Sequence, residues 1–168
     1  MIYVIGYMGS GKTTIASELS NMLKLPHVDT DKEIQKKTSH TINEIFKNFN
    51  EIYFRKIEKD ILTSIKGNKI VSTGGGLPTY SDNMNYIKKN GKSIYLKTPI
   101  QTLYDRLKNN LYDRPLIKNV KTSDLKIFIK KQIQEREYFY KQAHYILETK
   151  DISKEEILRK INSFISSC

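Results

Sequence analysis

Between Gly6 and Thr14 the chain reads GYMGSGKTT, matching G-x-x-x-x-G-K-[ST] at Gly6, Gly11, Lys12 and Thr13. The pattern dictates a chemistry. Glycines let backbone N–H groups turn inward around phosphate oxygens, and a helix opening at the end of the motif adds its positive pole. Gly9, Ser10, Gly11 and Thr14 are the loop positions expected against the phosphates. Lys12 is expected to reach the β- and γ-phosphates, and the Thr13 hydroxyl to ligate Mg²⁺. The motif implies ATP or GTP with Mg²⁺ and leaves the acceptor unnamed.

Two further stretches could shape an acceptor site. VDTD places Asp29 and Asp31 two residues apart, and in an extended chain their carboxylates face the same way. Asp29 is then the candidate to assist Mg²⁺ through water, and Asp31 to point at the acceptor hydroxyl. Asp31 could equally be the N-cap of a following helix. STGGGLP carries Gly74, Gly75 and Gly76 directly after an apolar run. Without side chains, a polyhydroxylated ring can lie on their backbone, with the Gly75 N–H on a ring hydroxyl. A tight strand exit with no ligand is the alternative.

These residues need a scaffold that brings them together. Short apolar runs at 2–5, 27–30, 69–73, 92–96 and 145–149 read as strands. Helical spacing fills 12–23, 31–37, 41–49, 51–66, 81–91, 100–108, 123–143 and 153–165, while 109–122 reads as irregular and charged. Thr41 and Glu44 fit a capping box, and Gly91 ends a helix. Strands alternating with helices imply an α/β fold, a five-stranded parallel sheet covered on both faces in three α/β/α layers. Ligands of such sheets bind beyond the carboxyl ends of the strands. The first loop, the acidic pair and the triple glycine should therefore line one crevice.

The order G-x-x-x-x-G-K-T, D-T-D, F-R-x-x-E, G-G-G, R-P-L and R-x-x-x-Y-x-x-A closely resembles the shikimate kinases, from Ile2 to about Ile165. The resemblance implies a P-loop NTPase-type fold with a mobile lid over about 109–122 and an acceptor-binding helical region over about 31–65. It implies ATP-dependent phosphorylation of the 3-hydroxyl of shikimate. Arg55 and Arg136 would clamp the shikimate carboxylate, because guanidinium makes paired, charge-assisted hydrogen bonds. Asp31 would bind ring hydroxyls and accept the attacking proton. Arg114 would stabilise transferring charge from the lid, and Arg106 would lie on the adenine side. Read alone, Arg55 is an i,i+4 partner of Glu51. Arg136 alone belongs to a solvated face with Lys126, Lys130, Lys131 and Lys141. The chain departs from the family at Asn50-Glu51, where Gly-Glu is usual. It also departs at Leu77-Pro78 after the glycines, and ETKDIS (148–153) matches no family pattern.

Composition narrows the class. The chain has 168 residues, and one kinase domain over 1–168 is expected. Such a chain buries roughly 70% of its unfolded surface and needs no disulfide. Its single cysteine, Cys168, allows none within the chain and suits a reducing compartment. The apolar start is too short for a membrane span and lacks the pattern of a signal peptide, so a cytoplasmic protein with no membrane partner is expected. Net charge is +11. A nucleic-acid module would gather such charge in one stripe, whereas here it is spread along nearly every segment. The expected partners are small anionic substrates, with no nucleic acid, on a monomer.

Overall fold

Strand β1 (Ile2–Ile5) is buried along its whole length. Its side chains alternate between two cores, as a period of two requires. Tyr3 and Ile5 enter one, Ile2 and Val4 the other. In the computed structural model, which describes residues 1–109 and 116–167, β1 is the middle strand of five. The others are β2 (His27–Asp29), β3 (Ile70–Ser72), β4 (Lys92–Lys97) and β5 (Tyr145–Glu148). All pairings are parallel, in the order β2-β3-β1-β4-β5.

Helices cover both faces, as parallel strands demand. On the Ile2/Val4 side, α1 (Lys12–Leu23) contributes Ile15, Ala16 and Leu19, and α8 (Lys154–Ser166) contributes Ile157 and Ile161. The opposite face takes α2 (Thr30–Thr38), α3 (Ile42–Asn48), α4 (Glu51–Ser64), α5 (Asn83–Asn90), α6 (Ile100–Leu107) and α7 (Thr122–Tyr140). The three layers and five parallel strands match the sequence expectation. Among the described residues, no helix is long and apolar enough to cross a membrane.

Several boundaries differ from the expected ones, each for a local reason. Strand β2 stops at Asp29 rather than Thr30, because the Asp29 carboxylate accepts from the N–H groups of Asp31 and Lys32 and caps α2. The cap is therefore Asp29, not Asp31, and the two side chains do not share an extended segment. Leu77–Thr79 forms a 3₁₀ turn that the sequence did not suggest. Leu77 there is buried in the core. Asn50 is extended, at φ −140° and ψ 173°, and caps α4 by accepting from the Tyr53 N–H. The Thr41–Glu44 capping box forms as expected. Helix α7 ends at Tyr140, short of Ala143. Of the expected lid, 110–115 lie outside the described residues, Arg114 among them. Beyond them Ile117 is fully buried, and α7 opens at Thr122.

Candidate active site

The site begins where β1 gives way to the glycine loop. Gly11 caps α1 in the left-handed region, at φ 89° and ψ 13°, a conformation costly for any residue with a Cβ. The loop folds on itself through a Ser10 N–H to Tyr7 carbonyl bond, and Lys12 Nζ donates to the same carbonyl at 2.8 Å. Arg106, on α6, donates to the Gly9 carbonyl at 2.9 Å and so lies over the loop.

The first turn of α1 meets the end of β2. Thr13 Oγ1 donates to Asp29 Oδ2 at 2.8 Å, and Ser72 Oγ donates to the same oxygen at 2.8 Å. Parallel pairing of β2 with β3 sets Asp29 beside Ser72 and makes this contact possible. The other Asp29 oxygen caps α2. A threonine that gives its proton to a carboxylate keeps its lone pairs for a cation, so the hard-oxygen pair of Thr13 and Asp29 fits Mg²⁺. Among the described residues, no group of three or more His, Cys, Asp or Glu could hold a metal. None is needed for a Mg²⁺ held largely by substrate phosphates and water. His27, further back on β2, lies with Nε2 2.9 Å from Ser72 Oγ. Burial lowers its pKa, opposed by Asp29 and reinforced by Lys32.

The acceptor side is built by α2, α4, α7 and the triple glycine. Helix α4 packs with Phe54, Ile57, Ile61 and Leu62, and this stripe also carries Arg55 and Glu58 inward. Arg55 is 7% and Glu58 1% exposed. The guanidinium donates to Glu58 at 2.7 Å and to Glu51 at 3.1 Å, so the expected Glu51 partner is only one of two. Burial pushes the Glu58 carboxyl up to about 7. Arg55 and Arg136 oppose that rise, and Asp31 adds to it. Glu58 Oε1 is buried and makes no hydrogen bond among the described residues.

Helix α7 turns Leu125, Ile129, Arg136 and Tyr140 inward. Arg136, 9% exposed, is therefore not on a solvated lysine face. Its Nη2 donates to Gln132, its guanidinium lies 5.6 Å from the centre of the Tyr7 ring, and its buried Nη1 finds no hydrogen-bond acceptor among the described residues. Tyr140 donates its hydroxyl proton to the Gly75 carbonyl and fixes the glycine stretch against α7.

The triple glycine has a sharper steric reason than an open floor. A Cβ on Gly74 would stand 2.6 Å from Asp31 Oδ1 and 2.7 Å from Glu58 Oε1, and one on Gly76 would stand 2.5 Å from an Arg55 nitrogen. The missing side chains thus admit the protein's own charged groups. The Gly74 N–H is taken by Thr30 Oγ1 at 2.8 Å.

One cavity of about 650 Å³ gathers these parts. Gly9, Ser10, Gly11, Lys12, Thr13, Thr14, Asp29 and Arg106 line it on the donor side. Asp31, Arg55, Gly74, Gly75, Gly76 and Arg136 line it on the acceptor side. Every residue nominated from the sequence lines it, except Arg114, which lies outside the described residues. Glu58 also lines the cavity, a placement that F-R-x-x-E by itself does not reveal. Its position within the apolar stripe of α4 was the available signal. Thr149 and Ile152 line it too, on the stretch that matched no family pattern, while Leu77 does not.

Comparison with known proteins agrees with this geometry. A sequence model described as shikimate kinase matches residues 8–166. The shikimate kinase of Flavobacterium psychrophilum is 38% identical over 168 residues, covering 98% of each chain. The crystal structure of the Bacteroides thetaiotaomicron shikimate kinase superposes with a TM-score of 0.90 at 30% identity, covering 98% of this chain and 97% of that one. The Acinetobacter baumannii shikimate kinase in complex with shikimate gives a TM-score of 0.90 at 32% identity, covering 99% and 92%. The glycine loop, the buried arginines that line the same cavity and these matches along nearly the whole chain converge, and the chain belongs to the shikimate kinase family.

Proposed function

We propose that the chain phosphorylates the 3-hydroxyl of shikimate with ATP and Mg²⁺, and that the two walls of its cavity divide the work. ATP lies on the donor wall. The loop amides and Lys12 hold its phosphates, Arg106 lies toward the adenine, and Thr13 holds Mg²⁺ with Asp29 behind it through water. Bound there, Mg²⁺ offsets charge on the β- and γ-phosphates. Shikimate lies on the acceptor wall, its carboxylate between Arg55 and Arg136. Asp31 orients the attacking hydroxyl and takes its proton as the new P–O bond forms and the bond to ADP breaks. Gly74, Gly75 and Gly76 let the ring approach the backbone, and Arg114 acts from the lid. Catalysis of this kind is mostly positioning and electrostatics. The lone cysteine and the dispersed charge fit a cytoplasmic, monomeric enzyme with 1–168 as one kinase domain.

The observation that carries this reading is Arg136. A buried guanidinium with an unpartnered Nη1 is costly unless a ligand supplies an acceptor, and a carboxylate is the matching anion. Steady-state kinetics and ATP binding of two variants test the assignment. Arg136→Ala should raise the shikimate KM by about 100-fold, the loss of one charge-assisted contact. Asp31→Asn should abolish turnover and leave ATP binding nearly intact. An unchanged KM in the first variant, or normal turnover in the second, contradicts the assigned role.

A further inference from the structure

The hydrogen bonds behind Asp29 extend beyond the residues that reach the substrates. Asp29 Oδ2 accepts two hydrogen bonds, one from Thr13 Oγ1 and one from Ser72 Oγ, each at 2.8 Å. Ser72 is 1% exposed, and its hydroxyl has a single proton. With that O–H directed at Asp29, the 2.9 Å contact between Ser72 Oγ and His27 Nε2 must run the other way, with Nε2–H as donor. A carboxylate can only accept, so no other direction satisfies all three contacts. Were Nε2 unprotonated, it would compete with Asp29 for the Ser72 proton. Asp29 would then lose one of the two bonds that fix the oxygen facing Thr13.

We propose that His27 is a positioning residue for phosphoryl transfer: its Nε2–H sets the Ser72 hydroxyl on Asp29, and Asp29 thereby holds Thr13 with its lone pairs toward the nucleotide phosphates and Mg²⁺. His27 and Asp29 are two apart on β2 and present their side chains to the same side, while Ser72 sits beside Asp29 on β3. The relay therefore runs across the sheet edge into the first turn of α1. Asp29 Oδ1 also caps α2, which carries Asp31. Both the neutral Nε2–H tautomer and the imidazolium can donate, so the role does not depend on a change of charge. The inference rests on the assignment of Thr13 and Asp29 to the metal side of the site.

Two measurements test it. The first is a long-range nitrogen–proton correlation spectrum of the native protein above neutral pH. The chain has three histidines, and loss of one signal set in His27→Gln assigns the residue. The Nε2–H tautomer is expected for His27, and the Nδ1–H tautomer overturns the proposal. The second is calorimetric binding of ADP with Mg²⁺ and with a chelator. Loss of a group behind a metal ligand commonly costs about 10- to 100-fold in metal affinity, and His27 acts through two residues, so His27→Leu should raise the Mg²⁺ requirement about three- to tenfold. Metal-free ADP binding and the shikimate KM should stay unchanged, and His27→Gln, which keeps a donor, should restore the native requirement. Equal losses with and without metal, or none in His27→Leu, overturn it. Asp29→Asn separates the two levels. If it raises the Mg²⁺ requirement and His27→Leu does not, only the role of His27 fails. If neither changes it, the metal-side assignment fails as well.

Discussion

Glu58 shows most plainly how a single residue here is set by its surroundings. Its carboxyl lies against Arg55, with Asp31 and Arg136 close enough to act on it, and burial lifts its pKa from 4.5 to about 7. A folded pKa above the unfolded one means that the native state holds the extra proton. Its contribution to stability is present below 4.5 and is lost as pH rises through about 7. Glu58→Gln removes the titration and keeps an oxygen for Arg55. The melting temperature of the native protein should therefore fall relative to that of Glu58→Gln across this pH window. Parallel melting profiles would show that Glu58 does not titrate there. F-R-x-x-E made Arg55 conspicuous, but sequence alone could not say which glutamate shares its buried environment. The answer lies in packing: Phe54, Ile57, Ile61 and Leu62 bury the stripe containing Glu58 and leave Glu51 outside it.

At the scale of elements, β1, β3, β4 and β5 were legible as short, mainly apolar runs, and β2 (His-Val-Asp) by its place between two helical stretches. The capping box at Thr41 was legible because its two residues act locally. What was not legible depended on competition or on distant partners. Asp29 and Asp31 could each cap a helix, and the choice falls to Asp29 because β2 ends there, extended, at φ −101° and ψ 117°. Arg136 looked like one more cation among lysines. Only the register of Leu125, Ile129 and Tyr140 along α7 turns it inward. The triple glycine was legible as a site of close approach, but the groups that approach come from α2 and α4. Gly76→Ala tests this. Its Cβ would enter the space of an Arg55 guanidinium held by two glutamates, so the arginine must move. The shikimate KM should rise by about tenfold or more, as for loss of a well-placed charged contact, while ATP affinity stays at the native value. Weakened ATP binding to the same degree would mean that the turn itself had collapsed.

Across the whole molecule, the order β2-β3-β1-β4-β5 does what no local pattern announces. Placing β3 between β2 and β1 sets the triple glycine between the acidic strand end and the phosphate loop. The long connection from β2 to β3 supplies α2, α3 and α4, and with them Asp31, Arg55 and Glu58. Donor and acceptor groups far apart in sequence thus meet at the carboxyl edge of one sheet, where ligands of such folds bind. The net charge of +11 suits two anionic substrates, but it is a property of the surface and does not choose between acceptors. In the proposed assignment, that choice falls to the two buried arginines that line the cavity, Arg55 and Arg136. The most direct test is ADP release from ATP and Mg²⁺ across shikimate, quinate, gluconate, AMP and CMP. ADP should form with shikimate well above all the others, and release with only gluconate or a nucleotide would contradict the account.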